Sequence, residues 1–117
     1  MKKDNKIFLE HILEAINNIE DYVKDIVSQE EFASNKIVGD AVLRNFQIIG
    51  EAANNLDENF IKNSSEVGWE KVIGMRNFII HEYFGVDLKI VWDTITEDIS
   101  SFKKLIEDLL KKSNLTS

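Results

Sequence analysis

Arg76, Asn77, His81 and Tyr83 place a permanent cation, an amide, an imidazole that titrates near neutrality and a phenol within about two helical turns. An arginine can clamp phosphate oxygens while a histidine moves protons, and those two capacities are the minimum equipment for breaking a phosphodiester without a metal. Scarcity singles these residues out. Of 14 basic residues only Arg44 and Arg76 are arginines, and His11 and His81 are the only two histidines. Each also has an ordinary structural reading, because an arginine in an apolar stripe can be a buried ion-pair partner and a histidine near a helix end can simply pack or cap.

On a helical wheel starting at Trp69, Ile80 falls near 20°, Val72 near 300° and Arg76 near about 340°, inside the apolar stripe, with Tyr83 near about 320° one layer further on. Burying a guanidinium without a partner costs several kcal/mol, so Arg76 must face an acid, carbonyls, a subunit cleft or a bound phosphate. Asn77 and His81 share a different strip, at about 80 to 120°, together with Glu70 and Gly74.

The elements that must position these groups are helical. Apolar residues from Phe8 to Val27 recur at helical spacing and predict a first helix over about residues 4 to 27. Ser28 and Glu31 read as a capping box for a short element over residues 29 to 33. A second long helix is expected from about Asn35 to Leu56, with an apolar surface wide enough for burial on more than one side and with Gly39, Gly50 and Ala53 admitting a close neighbour. Residues 57 to 68 form the longest connection, with room for a turn of helix around Phe60 and Ile61. A third helix runs from about Trp69 to Phe84 and stops at Gly85; Asp87 caps a fourth, over about Leu88 to Lys111. The fold expected is all-α: an up-and-down four-helix bundle with an additional short helix, one domain over residues 1–112 and a frayed tail at 113–117.

Composition agrees and excludes other classes. A chain of 117 residues that is 44% hydrophobic and 30% charged holds one core, and the absence of proline leaves little from which to build a many-stranded sandwich. With no cysteine there is no disulfide scaffold, thiolate metal site or cysteine nucleophile. No secretion signal or membrane-spanning run is visible, so a cytoplasmic address is expected. The net charge of −7 opposes broad attraction to nucleic acid, so any RNA site must be a local basic cleft with Arg76 at its base. Arg44 is expected to pair with Glu51 or with another helix, Lys71 and Lys89 read as solvated surface, and His11 beside Glu14 lacks the further ligands of a metal site.

The run Arg76-Asn77-Phe78-Ile79-Ile80-His81-Glu82-Tyr83 resembles the R-x-x-x-x-H-x-Y signature of the HepT ribonuclease toxins, a branch of the HEPN superfamily. Its surroundings agree: Arg44-Asn45 and Ile49-Gly50-Glu51-Ala52 upstream, Trp69 before the signature, and Phe84-Gly85-Val86-Asp87 after it. The resemblance implies a HEPN-like all-α protomer, a homodimer whose cleft holds two signatures, and RNA cleavage that needs no metal or other cofactor. It makes Arg76 and His81 the catalytic pair and Asn77 a supporting residue. It further implies a minimal nucleotidyltransferase antitoxin that silences the toxin by AMPylation of Tyr83, with assembly into a larger hetero-oligomer left open. Two other classes compete: a non-cleaving helical subunit that holds nucleotide or RNA for a nucleotidyltransferase, and a purely structural dimerisation bundle.

Overall fold

The computed structural model describes the backbone of residues 3–81 and 87–116 and the side chains of residues 4–75 and 87–113. Among the described residues seven α-helices follow one another: α1 (Lys3–Val23), α2 (Gln29–Ser34), α3 (Lys36–Asn54), α4 (Glu58–Asn63), α5 (Trp69–His81), α6 (Leu88–Asp93) and α7 (Ile99–Thr116). A 3₁₀ turn (Ser65–Val67) precedes α5, and a π-helical turn (Thr94–Asp98) joins α6 to α7 without leaving the helix. The fold is all-α, as expected: α1, α3, α5 and the α6–α7 rod are the long members, and α2 and α4 the short ones.

The core follows from the sequence periodicity. Leu9, Ile12, Ile16 and Ile19 of α1 recur at spacings of three and four and are fully buried, as are Val42 and Ala53 of α3 and Ile106 of α7. Helix α3 packs against α1, α2 and α5, which explains its broad apolar surface, while α7 lies on α1. The backbone N–H of Asp57 donates to Asn5 Oδ1 at 3.0 Å, and Asn18 Nδ2 donates to Asn45 Oδ1 at 3.2 Å. The start of one helix thus meets the end of the other, so α1 and α3 run antiparallel. Asn45 Nδ2 donates in turn to the Ala41 carbonyl at 2.8 Å, which satisfies a buried amide that would otherwise destabilise the pair. Between α1 and α7, Lys103 Nζ donates to Glu20 Oε1 at 2.8 Å, and this bond holds the lysine pKa above its ordinary value.

Two helix ends, one stretch of helix and one glycine differ from expectation. Helix α1 ends at Val23, not near Val27: the chain leaves it in a turn, with the Ile26 N–H donating to the Val23 carbonyl at 2.9 Å, and reaches Ser28 in extended backbone (φ −149°, ψ 159°) before α2. Ser28 Oγ accepts from the Glu31 N–H at 3.1 Å, and Glu31 Oε2 reaches back to the Val27 N–H at 3.2 Å, so the capping box closes one residue early. Helix α7 continues to Thr116, and Ser113, one turn beyond Leu109 on the inward stripe, is buried. The rod formed by α6 and α7 contains the π turn, in which the Thr94 and Thr96 hydroxyls donate to the Ile90 and Trp92 carbonyls. Gly39 is no point of close approach: a methyl group there would meet no heavy atom within 4 Å.

Candidate active site on helix α5

Helix α5 has an unusual start. Gly68, in the left-handed conformation (φ 74°), precedes it and offers no side-chain oxygen to cap the first N–H groups; its carbonyl accepts from Lys71 and Val72. The helix is fixed instead through its first residue. Trp69 is buried against the Phe60 ring, with centroids 6.4 Å apart, and its Nε1–H donates to Ser64 Oγ at 2.9 Å. The Ser64 hydroxyl donates onward to the Phe60 carbonyl at 2.6 Å. At the other end of the signature segment, Asp87 caps α6 by accepting from the Lys89 N–H at 2.9 Å, and Trp92 stacks on Phe32 at 5.4 Å. A tryptophan therefore anchors each flank.

Arg76, Asn77 and His81 all lie on α5, whereas Tyr83 and the helix stop expected at Gly85 lie outside the described residues. Backbone register puts Arg76 on the face that carries Trp69 and Val72, both buried. Asn77 and His81 occupy the strip that carries Glu70 and Gly74, both exposed. The two candidate catalytic positions thus share one helix but not one face: they are about 140° apart around it and ~7.5 Å along it.

Beside the Arg76 face the bundle is open. Helix α5 leans on α3, and a cavity of about 690 Å³ separates it from α7 and the π turn. Trp69, Val72 and Met75 form one wall, Ile99 and Phe102 the other, and Phe46 the floor. Arg76 follows Val72 by one turn along that wall. Neither this groove nor the π turn was evident from the sequence; the one local cue was the Thr94–Thr96 pair, whose hydroxyls can bond back onto a helix and bend it.

Among the flanking charges, Arg44 departs from the sequence reading. Arg44 is exposed and makes no ion pair among the described residues; Glu51, its expected partner, accepts from Gln47 Nε2 at 3.4 Å. Two helical turns, about 11 Å of rise, separate Arg44 from Glu51, too far for a direct bridge. Lys89 is committed to Asp93 at 3.1 Å, and that hydrogen bond raises its pKa. Lys71 is exposed on α5 and borders the groove. His11 is exposed and meets the edge of the Phe8 ring, with centroids 6.4 Å apart.

Gly74 is conspicuous on the exposed strip. Glycine inside a helix destabilises it by about 0.5–1 kcal/mol relative to alanine, and a methyl group at Gly74 would meet nothing within 4 Å. Nothing in the described protomer demands it. Gly74→Ala is therefore expected to stabilise the isolated protein by about 0.5–1 kcal/mol in urea unfolding, and a loss of stability would show that the site is already crowded.

The family described as ribonuclease HepT-like matches residues 12–109 of this chain. A protein of Thermococcus cleftensis named "Probable ribonuclease HepT" is 41% identical, the match covering 95% of this chain and 100% of the relative. A protein of Caldanaerobacter subterraneus named as a "Putative RNase" is 39% identical over 94% of this chain and 97% of its own length. The chain also matches, at 42% identity and over 97% of its length, a Methanocaldococcus jannaschii protein named "Gamma-glutamylcyclotransferase and putative RNase", of which it spans 53%. No solved structure matches the chain.

Proposed function

Because this chain belongs to the HepT-like ribonuclease family, we propose that it is a metal-independent RNA endonuclease in which Arg76 and His81 are the catalytic pair and Asn77 a supporting residue. The observation that carries the reading is the register of α5, which sets Arg76 and His81 on one short helix with different faces. A single protomer does not present the two side by side, and a two-fold arrangement of protomers resolves this by letting one phosphate meet Arg76 of one chain and His81 of the partner subunit.

The chemistry then runs as an internal transesterification. The imidazole of His81 takes the proton from a ribose 2′-hydroxyl, and the 2′-oxygen forms a bond to phosphorus. Arg76 neutralises the charge that builds on the non-bridging oxygens, as a preorganised cation does at a developing anion. The bond from phosphorus to the 5′-oxygen breaks, that oxygen leaves with a proton returned by an imidazolium, and the products are a 2′,3′-cyclic phosphate and a 5′-hydroxyl.

The same reading makes the protein the toxin of a pair whose antitoxin is a minimal nucleotidyltransferase acting in the cytoplasm. AMPylation of Tyr83 adds bulk and a negative phosphate two residues beyond His81, and so blocks the substrate by sterics and by like-charge repulsion. Among the described residues no helix is long and apolar enough to cross a membrane.

Purified protein incubated with RNA in excess EDTA tests the proposal. Cleavage leaving cyclic-phosphate ends supports it; RNA or nucleotide binding without cleavage favours a non-catalytic subunit of the nucleotidyltransferase, and neither favours a scaffold. For the regulatory half, Tyr83→Phe is expected to abolish AMP incorporation from ATP by a partner nucleotidyltransferase, measured with labelled nucleotide; full incorporation into the variant would acquit this tyrosine.

A further inference from the structure

We propose that Ser64 is a positioning residue: its hydroxyl, held between the Trp69 indole and the Phe60 carbonyl, fixes the rotation of α5 and thereby the direction in which Arg76 is presented. The inference rests on the reading of Arg76 as catalytic. Three observations lead to it. First, the apolar residues of α5 are spread around the helix and give it a far weaker sidedness than α1, α3 or α7, so burial alone specifies its rotation poorly. Second, its start carries no side-chain cap, because Gly68 stands there. Third, what ties the first residue in azimuth is directional: Trp69 Nε1–H to Ser64 Oγ at 2.9 Å, and Ser64 Oγ to the Phe60 carbonyl at 2.6 Å.

Both partners of this clasp are shielded from water, Ser64 at 2% and Trp69 at 3% exposure, so solvent cannot replace a lost bond. Arg76 lies seven residues after Trp69, two turns on and on the same face, so a twist at the indole is transmitted to it by a rigid helix. Side-chain heads stand about 5–6 Å from a helix axis, and a rotation of ~20° displaces them by ~2 Å. A displacement of even about 1 Å at a reacting centre can cost ~100-fold in rate.

The low counts of arginine and tryptophan give a direct readout. Nitrogen–proton correlation spectra of the full chain should contain two arginine Nε–H and two indole N–H signals, assigned with Arg44→Lys and Trp92→Phe. Ser64→Ala is expected to shift the Trp69 indole and Arg76 signals while leaving those of Trp92 and Arg44 in place. It is also expected to lower kcat for RNA cleavage by at least ~10-fold with KM changed less than ~2-fold. Trp69→Phe, which keeps the ring against Phe60 and removes only the donor, should act in the same direction and serves if Ser64→Ala does not fold. An Arg76 signal that stays put while the Trp69 indole shifts, or an unchanged kcat, overturns the proposal. Should the Arg76 signal move in a protein whose wild type cuts no RNA, the positioning relation stands and the ribonuclease reading is what fails.

Discussion

Arg76→Ala and His81→Ala are each expected to lower the rate of RNA cleavage by about 10²–10⁴-fold, with far smaller effects on unfolding. The two losses have different physical signatures. Removing the guanidinium takes away a charge that is useful chiefly when negative charge accumulates in the transition state, so kcat and kcat/KM should fall together. Removing the imidazole also takes away a group whose ionisation shapes the pH dependence, so the wild-type profile of kcat/KM should bend near neutrality, and the residual activity of His81→Ala should lose that bend. Lysine at position 76 should recover little, because a compact ammonium does not reproduce the planar fork that meets two phosphate oxygens at once. A wild-type profile without any ionisation near neutrality, or an Arg76→Ala protein of undiminished kcat, would count against these roles.

The largest expected effect on stability is at Phe32. This residue is fully buried although it sits on a helix of six residues, and it stacks on Trp92 with the rings inclined at 30°. Too short to stand alone, α2 is held by its Ser28 cap and by this one side chain. Phe32→Ala would leave a cavity where α2 meets α6 and is expected to cost about 3–5 kcal/mol. Against a typical total of ~5–15 kcal/mol, that is enough to leave the protein only marginally folded at ambient temperature. Urea titration should show a lower midpoint with an unchanged slope, and a shift equivalent to less than ~1 kcal/mol would mean that α2 contributes little to holding α6.

The connection between Phe32 and function runs through the chain order. Helix α6 receives the chain directly after the signature segment, and Trp92 fixes it against α2, while Trp69 fixes the start of α5 against α4. The stretch that carries Arg76, Asn77, His81 and Tyr83 is therefore flanked on both sides by aromatic packing on six-residue helices, Phe60 of α4 and Phe32 of α2.

Much of this was legible from residue spacing. The long helices α1, α3 and α7 declare themselves because their apolar residues return every three or four positions, and Ser28 and Asp87 declare the starts of α2 and α6 because only an uncapped helix needs such a neighbour. Where the structure departs from residue spacing, a local signal conflicts with a stronger one nearby. Ile26 and Val27 extend the apolar rhythm of α1, but Val27 is 84% exposed, because the chain has left the helix before the cap at Ser28. Lys111 and Lys112 look like the closing charges of a helix, but α7 continues past them, with the small Ser113 buried. The groove beside α5 arises from how far two helices stand apart, a relation between distant segments that no single stretch of sequence encodes. Ser64 is illegible in the sequence for a related reason: a serine in a polar connection carries no local sign that the indole five residues later takes it as acceptor.

The central claim is that one RNA phosphate is met by Arg76 of one chain and His81 of the partner subunit, and subunit complementation tests it most directly. Arg76→Ala and His81→Ala proteins, each strongly impaired alone, are unfolded together and refolded as a mixture, and RNA cleavage is measured once mixed dimers have been verified by differential tagging. A composite site requires that the mixed dimer regain one intact arginine–histidine pair, so the mixture should recover roughly a quarter of wild-type activity. Verified mixed dimers that cut RNA no faster than either parent would contradict the account, as would a wild-type protein that cleaves RNA at full rate as a lone protomer.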